Sequence, residues 1–461
     1  MTAADPALWT TTEQVAKIRR GELGSVELLD AQLARIERLN PAVNAVCTLS
    51  VEDARERAEA ADKATANGQS WGPLHGVPVT IKDAIATEGI RSTGGSPALL
   101  DNVPQHDAEA VAAIRRAGAI VFGKTNVPLW SGDFQTFNEM FGTTNNPWDL
   151  TRVPGGSSGG AAAAVACGMT SFEIGTDIGG SVRVPAAFCG VYGHKPSFGV
   201  IPTLGYLDEP RGGVTESDVN VFGPIARSAD DLELLVGLLA GPTPDRAVGW
   251  RLELPRADVT ALRSLRVATW FDEPTTPMDD EMVAVLNGAA DRLVEAGVAV
   301  DRDVRPEIDF TESWLAGGWL IGAAVQVSEG DRDISHTDWL LADRERARRR
   351  QRWAAFFEDV DVLLCPITAT PAFSHQQEGT WADREFVVND KTVPYYSLEA
   401  WPALIGSAYL PSTSAPVGRT AAGLPVGVQV VSPYLQDYRS ITVARLITEL
   451  VGGYTVPPLA R

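Results

Sequence analysis

PGGSSGGAAAAVACGMTSFEIGTDIGGSVRVP, running from Pro154 to Pro185, is the stretch on which the reading of this chain turns. Its first turn, Pro154-Gly155-Gly156-Ser157-Ser158-Gly159-Gly160, leads into the Ala-rich run Ala161–Val165. A Gly/Ser loop entering a helix collects backbone N–H groups and hydroxyls at the helix N-terminus; a turn with an N-capping Ser is the plain alternative. The second turn is Thr176-Asp177-Ile178-Gly179-Gly180-Ser181-Val182-Arg183. Consecutive small residues let the N–H groups of Ile178, Gly179, Gly180 and Ser181 converge on one concavity, as an oxyanion hole requires. Ser181 would stand beside that hole as a nucleophile. Asp177 and Arg183 are spaced for a supporting ion pair, for which a purely structural role is the simpler one.

Upstream, Gly72 to Asp83 reads GPLHGVPVTIKD, and the alternation of Val77, Val79 and Ile81 predicts a strand ending at Lys82. In a generic strand such a Lys snorkels at the sheet edge. If buried instead, desolvation lowers its pKa and lets it act as a neutral base. A helix is expected over His106–Ala117 and a buried parallel strand over Ala119–Phe122. The first 70 residues read as helical: Ser25 is placed as an N-cap before the stripe Val26, Leu29, Leu33, Ile36 and Leu39, and Val51–Ala66 as a solvated helix.

Downstream, 265–271 and 297–302 read as strands around a helix at 280–295, and 310–358 as helical. Residues 360–365 and 423–431 read as strands, with a helix near 439–451. The run Arg344–Arg352, mixed with Glu345, reads as a solvated helix face. Strand and helix signals alternate throughout, which favours an α/β fold with a mixed, mostly parallel central sheet covered by helices.

Composition narrows the function. The 461 residues carry 39 Lys plus Arg against 59 Asp plus Glu, a net charge of −20. A nucleic-acid ligand wants a basic footprint and an anionic membrane surface wants the same, so both are disfavoured. The four cysteines, Cys47, Cys167, Cys189 and Cys365, lie far apart without a C-x-x-C pair and read as small buried hydrophobes in a reducing compartment. No signal peptide or apolar span of 18 residues is read, so a cytoplasmic protein is expected. The five histidines, His75, His106, His194, His336 and His375, leave little material for a His-rich metal site or a Ser-His-Asp triad.

Two motifs match by letter and fail by context. Gly118 to Thr125, GAIVFGKT, has the P-loop spacing, but its middle residues belong to a strand and Asn126-Val127-Pro128 opens no smooth helix. Gly155 to Gly159, GGSSG, has the nucleophile-elbow spacing, but a loop rather than an apolar strand precedes it.

Lys82 in a strand, the PGGSSGG loop, and D-x-G-G-S-x-R with Ser181 following Ser157 together resemble the amidase signature family. The resemblance covers most of the chain and is strongest from about 71 to 235. It includes Gly123-Lys124-Thr125-Asn126, Phe188-Cys189-Gly190, Lys195-Pro196 and Gly223-Pro224-Ile225-Ala226-Arg227-Ser228. It implies one amidase domain over 1–461: an N-terminal helical segment 1–70, a signature core at about 71–235, and a peripheral region at about 246–400 that returns to the core at 401–461. It further implies a triad in which Ser181 is the nucleophile, Ser157 the bridging serine on a cis peptide and Lys82 the base, with Ser158 orienting the loop or a water. Such a triad needs neither imidazole nor metal, and no cofactor is expected.

The preferred substrate is a small or aryl amide, extending to esters and carbamates (urethanes). The alternative is an amidotransferase A-type glutaminase subunit for tRNA-dependent transamidation. The acidic segment between Val200 and Gly223 resembles general amidases more. The remaining readings are a lipid-amide hydrolase and a catalytically inactive subunit for binding or assembly. Trp130, Phe134, Phe137, Tyr206 and Trp401 are candidates to line the substrate pocket, with core packing as the competing role. Oligomeric state is not legible.

Overall fold

A computed structural model describes residues 5–210, 212–325 and 334–461. In chain order the first half holds helices α1 (Thr11–Arg19) and α2 (Ser25–Val43), strand β1 (Val46–Leu49), α3 (Val51–Ala66), β2 (Pro78–Lys82), α4 (Glu109–Arg116), β3 (Ile120–Thr125), the short β4 (Phe137–Asn138) and β5 (Gly142–Thr143), and α5 (Gly159–Ala166). Then follow β6 (Glu173–Asp177), α6 (Arg183–Cys189), β7 (Tyr192–Lys195), β8 (Val221–Ala226) and α7 (Ala229–Leu239). The second half holds β9 (Arg266–Thr269), α8 (Asp280–Glu295), β10 (Ala299–Asp301), α9 (Phe310–Ala324), α10 (His336–Asp359), β11 (Val362–Pro366), β12 (Glu385–Val388), β13 (Lys391–Pro394), α11 (Ala400–Gly406), β14 (Ser412–Arg419), β15 (Pro425–Val431) and α12 (Asp437–Val451). The part of the expected helical stretch 310–358 at 326–333 lies outside the described residues.

The fold is α/β with a large mixed sheet. Its eight strands run in the order β10-β9-β11-β15-β14-β7-β8-β6. The expectation of mostly parallel pairing is corrected. Parallel pairing is confined to β9 with its neighbours β10 and β11, and the other five neighbouring pairs are antiparallel. The cause is connectivity. A parallel pair needs a crossover such as α8 between β9 and β10, whereas β7–β8 and β14–β15 follow one another without an intervening helix.

A second, three-stranded sheet has the order β1-β3-β2. Here β2 and β3 are parallel, as expected for the strand after Gly118, and β1 joins antiparallel to β3. The strand β1 breaks the otherwise helical N-terminal 70 residues. Lys124, from GAIVFGKT, is buried within β3 and donates from Nζ to Ile85 O at 2.5 Å and Thr87 Oγ1 at 2.7 Å, a structural anchor rather than a phosphate ligand.

Two local expectations change. Ser25 is the first residue of α2, not its cap. The backbone N–H groups of Ser25 and Val26 instead donate to the carboxylate of Asp62, at 2.6 and 3.2 Å, so a neighbouring helix satisfies this N-terminus. On α10 the Arg-rich face is not uniformly solvated. Arg346 is buried, donates to Asp218 at 2.8 Å and also pairs with Asp343.

Every residue of α5, β6 and α6 is buried. An all-round buried helix has no polar face to offer, and Ala and Gly suit α5 because its neighbours approach closely. A Cβ on Gly160 would meet Asn126 N at 2.5 Å and Ala45 O at 2.8 Å. The two Gly-rich turns of the opening stretch thus flank wholly buried elements.

Candidate active site

Strand β2, at the edge of the three-stranded sheet, delivers Lys82 into this enclosed region rather than to solvent. The side chain is fully buried, and Nζ lies at 2.7 Å from both Ser157 Oγ and Thr176 Oγ1. Burial pushes its pKa down from 10.5 to about 7, against the opposing pull of Asp177 and Glu173. A Lys in this state exchanges its proton near neutrality.

Ser157 sits on the first turn, where the Gly156–Ser157 peptide is cis, as the resemblance implied. Gly156 is required by close approach: a Cβ there would meet Asp133 O at 2.3 Å and Phe134 C at 2.7 Å. Ser158 holds the turn against the second one. Its N–H donates to Ser181 O at 3.2 Å, and its hydroxyl is 3.4 Å from both Thr176 N and Thr176 O.

The second turn is organised by Asp177. Its carboxylate accepts from Arg183 Nε at 2.9 Å and Nη2 at 2.7 Å, and from the backbone N–H groups of Gly180 at 2.9 Å and Val182 at 3.1 Å. Burial pushes the Asp177 pKa up, but the Arg183 charge and hydrogen bonds outweigh it and hold it at about 2. Arg183 reaches on to Pro402 O at 3.0 Å and Gln429 Oε1 at 2.8 Å, tying the turn to α11 and β15. Gly180 has φ +118°, and a Cβ there would meet Pro402 at 2.9 Å. The four-donor oxyanion expectation is trimmed, because the Gly180 N–H is engaged by Asp177. Among the described residues the N–H groups of Ile178, Gly179 and Ser181 carry no intramolecular acceptor.

The five aromatic candidates separate. Trp401 is wholly buried, stacked edge-on with Trp270 and Phe310, with its indole N–H on Met278 Sδ at 3.2 Å; it is core. Phe134 is core too, packed on Trp381 and Tyr395. Large flat rings fill gaps between elements, and the sequence carries no mark of which gap. Trp130 and Phe137 stay partly exposed, Trp130 in the left-handed region at φ +49°. Tyr206 is buried against Phe222, with its hydroxyl near Thr176 and Ser131.

Thr176, Ile321 and Glu399 join the site and were not expected there. Thr176 is the second partner of Lys82. Ile321 of α9 and the Glu399 carboxylate face Gly179, where a Cβ would lie 2.9 Å from Glu399 Oε1. Only the packing of β6 beside β2 brings Thr176 to Lys82, and no sequence signal encodes that. Among the described residues no group of three or more His, Cys, Asp and Glu is placed to hold a metal, and no helix is long and apolar enough to cross a membrane.

The amidase family model matches residues 27–336 and 309–441. The chain belongs to the amidase family. Among its curated relatives is the A-type subunit of glutamyl-tRNA(Gln) amidotransferase from Roseiflexus sp. (strain RS-1), 33% identical over 97% of this chain and 98% of that one. Among solved members of the amidase fold, 6-aminohexanoate cyclic dimer hydrolase is similar with a TM-score of 0.81 and 26% identity, over 99% of this chain and all of that one. The A-type subunit of glutamyl-tRNA(Gln) amidotransferase from Thermotoga maritima is similar with a TM-score of 0.78 and 25% identity, over 100% and 99%. These two amidotransferase relatives lie on the side of the reading that the sequence analysis placed second.

Proposed function

We propose that the protein hydrolyses amide C–N bonds through an acyl-enzyme on Ser181. The observation that carries this reading is the 2.7 Å contact between Lys82 Nζ and Ser157 Oγ in a buried site, with the Lys near its neutral form at pH 7. Neutral Lys82 accepts the Ser157 proton as Ser157 takes the Ser181 proton. Ser181 Oγ attacks the substrate carbonyl, and the oxyanion is received by N–H groups of the 178–181 turn. The proton returns through Ser157 to the leaving nitrogen, the C–N bond breaks and the amine departs. Water, deprotonated by the same relay, then cleaves the ester on Ser181 and restores the hydroxyl.

For the substrate we favour a small or aryl amide, extending to esters and carbamates. The support is the likeness to a solved amide hydrolase, 6-aminohexanoate cyclic dimer hydrolase, over nearly the whole of both chains. The amidotransferase relatives favour a second reading, release of ammonia from glutamine by a subunit that works with partner chains. A panel of glutamine, benzamide, an anilide and an aryl carbamate separates the two. Dominant release of ammonia from glutamine would overturn the first. Fluorophosphonate treatment followed by peptide mapping tests both against a catalytically inactive assembly role. An adduct on Ser181 is expected, and its absence under conditions that label a control serine hydrolase would overturn the catalytic reading.

A further inference from the structure

Asn220 is 2% exposed, and among the described residues neither its side-chain Nδ2 nor its Oδ1 has a hydrogen-bond partner. Leaving both halves of a buried carboxamide unpaired is costly, so such a group calls for an explanation. Its position supplies one. Asn220 directly precedes β8, whose Val221 pairs with Asp177 and whose Phe222 pairs with Thr176. Opposed residues of a pair share a face and successive residues alternate, so Asn220 falls on the face of Phe222 and Thr176. Thr176 is the residue that holds Lys82 Nζ, and Ile178 of the second turn stands opposite Asn220 one step past the last pair.

The backbone before it is held in an unusual shape. Val219 has φ +55°, a conformation rare for a β-branched residue and kept only where surroundings impose it. The imposing group is Asp218, whose carboxylate accepts from Val219 N at 2.8 Å, Tyr409 Oη at 2.6 Å and Arg346 Nη1 at 2.8 Å. These anchors thus fix a turn that presents an unpaired carboxamide beside the catalytic face, with the preceding Val219 packed on Ile321 and Ala403.

We propose that Asn220 is a substrate-binding residue whose carboxamide pairs, donor to carbonyl and acceptor to N–H, with a second amide group of the substrate other than the scissile one. The proposal rests on the hydrolytic reading above and narrows its substrate to amides that carry another amide within a few bonds of the cleaved one.

The test measures binding without turnover, by titration calorimetry on Ser181→Ala protein with two matched pairs. On the acyl side the pair is N-acetylglycine p-nitroanilide and pentanoyl p-nitroanilide; on the amine side it is N-benzoylglycinamide and N-isobutylbenzamide. Within one pair the amide-bearing member is expected to bind roughly tenfold tighter or better, since a site built to hydrogen-bond a group rejects the analogue that lacks it. Asn220→Leu on the same background should abolish that preference, and Asn220→Ala gives the same readout should the Leu variant fold poorly. Equal affinity within both pairs, no binding of any of the four, or a preference that survives the substitutions would overturn the proposal. The hydrolytic reading fails separately, if Ser181→Ala turns over substrate at the wild-type rate.

Discussion

Lys82 Nζ lies 2.7 Å from Ser157 Oγ, and neither side chain has measurable exposure to solvent. Contact and burial act together. Burial removes the hydration that would keep an ammonium charged, and the contact gives the neutral amine a hydroxyl from which to take a proton. The same geometry at an exposed sheet edge would be an inert ion.

Removing any member of this relay should collapse the rate. Lys82→Ala, Ser157→Ala and Ser181→Ala are each expected to lower kcat/KM by several orders of magnitude, and the double variant Lys82→Ala/Ser181→Ala to be little worse than the worse single. Steady-state rates on an anilide check this, and near-wild-type turnover by Lys82→Ala would refute the role of the Lys.

The pH profile follows from the Lys82 pKa. With the folded value at about 7, the neutral base accumulates as pH rises, so kcat/KM should climb through an inflection near 7 and level off above it. A Lys at its ordinary 10.5 would leave the rate still climbing beyond pH 9. The sign for stability is the same. Folding releases this proton between about 7 and 10.5, so the cost of burying the Lys is fully present below the folded value and is relieved as pH rises through that window.

Arg183→Met should destabilise the fold. Arg183 and Asp177 are both fully buried, and removing one partner leaves the Asp177 charge uncompensated, a loss of about 3–5 kcal/mol. Urea unfolding at pH 7 measures it. Because the Asp177 pKa is depressed in the native state, its contribution is present above its ordinary 3.8 and is lost as pH falls toward about 2. Without Arg183, burial raises the Asp177 pKa, so the stability deficit of the variant should be largest near neutral pH and shrink as pH falls and the carboxyl takes up a proton.

Two glycines should respond in opposite directions. Gly156→Ala drives a Cβ into the Asp133 and Phe134 backbone at 2.3 and 2.7 Å, and overpacking of this kind costs about 1–3 kcal/mol. Its fluorophosphonate labelling rate should fall further than its stability, since the displaced loop carries Ser157. Gly288, inside α8 with nothing within 4 Å of its Cβ position, should gain about 0.5–1 kcal/mol on Gly288→Ala. Melting curves of the two variants read both signs.

Much of this site was legible along the chain because its parts are local. Turns that demand small residues, as at Gly156 and Gly180, announce themselves in composition, and the alternation in VPVTIK marks a strand without reference to anything else. What failed to be legible was adjacency. Lys82 and Thr176 lie 94 residues apart and meet because β2 runs beside β6. Trp401 and Phe134, read as pocket candidates from their chemistry, turned out to fill the core, since an aromatic ring serves either place equally well. The sheet was expected to be mostly parallel because helix and strand signals alternate, but β7–β8 and β14–β15 follow without a crossover and pair antiparallel.

By itself the sequence determined the two Gly-rich turns and the strand ending at Lys82, because each rests on residue types at short range, and its resemblance to the amidase family put forward Lys82, Ser157 and Ser181 as a set. Only the tertiary structure decided that Lys82 is buried rather than snorkelling, that Gly180 donates to Asp177, and that Asn220 stands unpaired beside the same face. Desolvation and hydrogen-bond partnership depend on what surrounds a group in space: the surroundings of Lys82 and Asn220 come from segments that packing, not chain order, brings together, and the Gly180 contact depends on how its own turn folds.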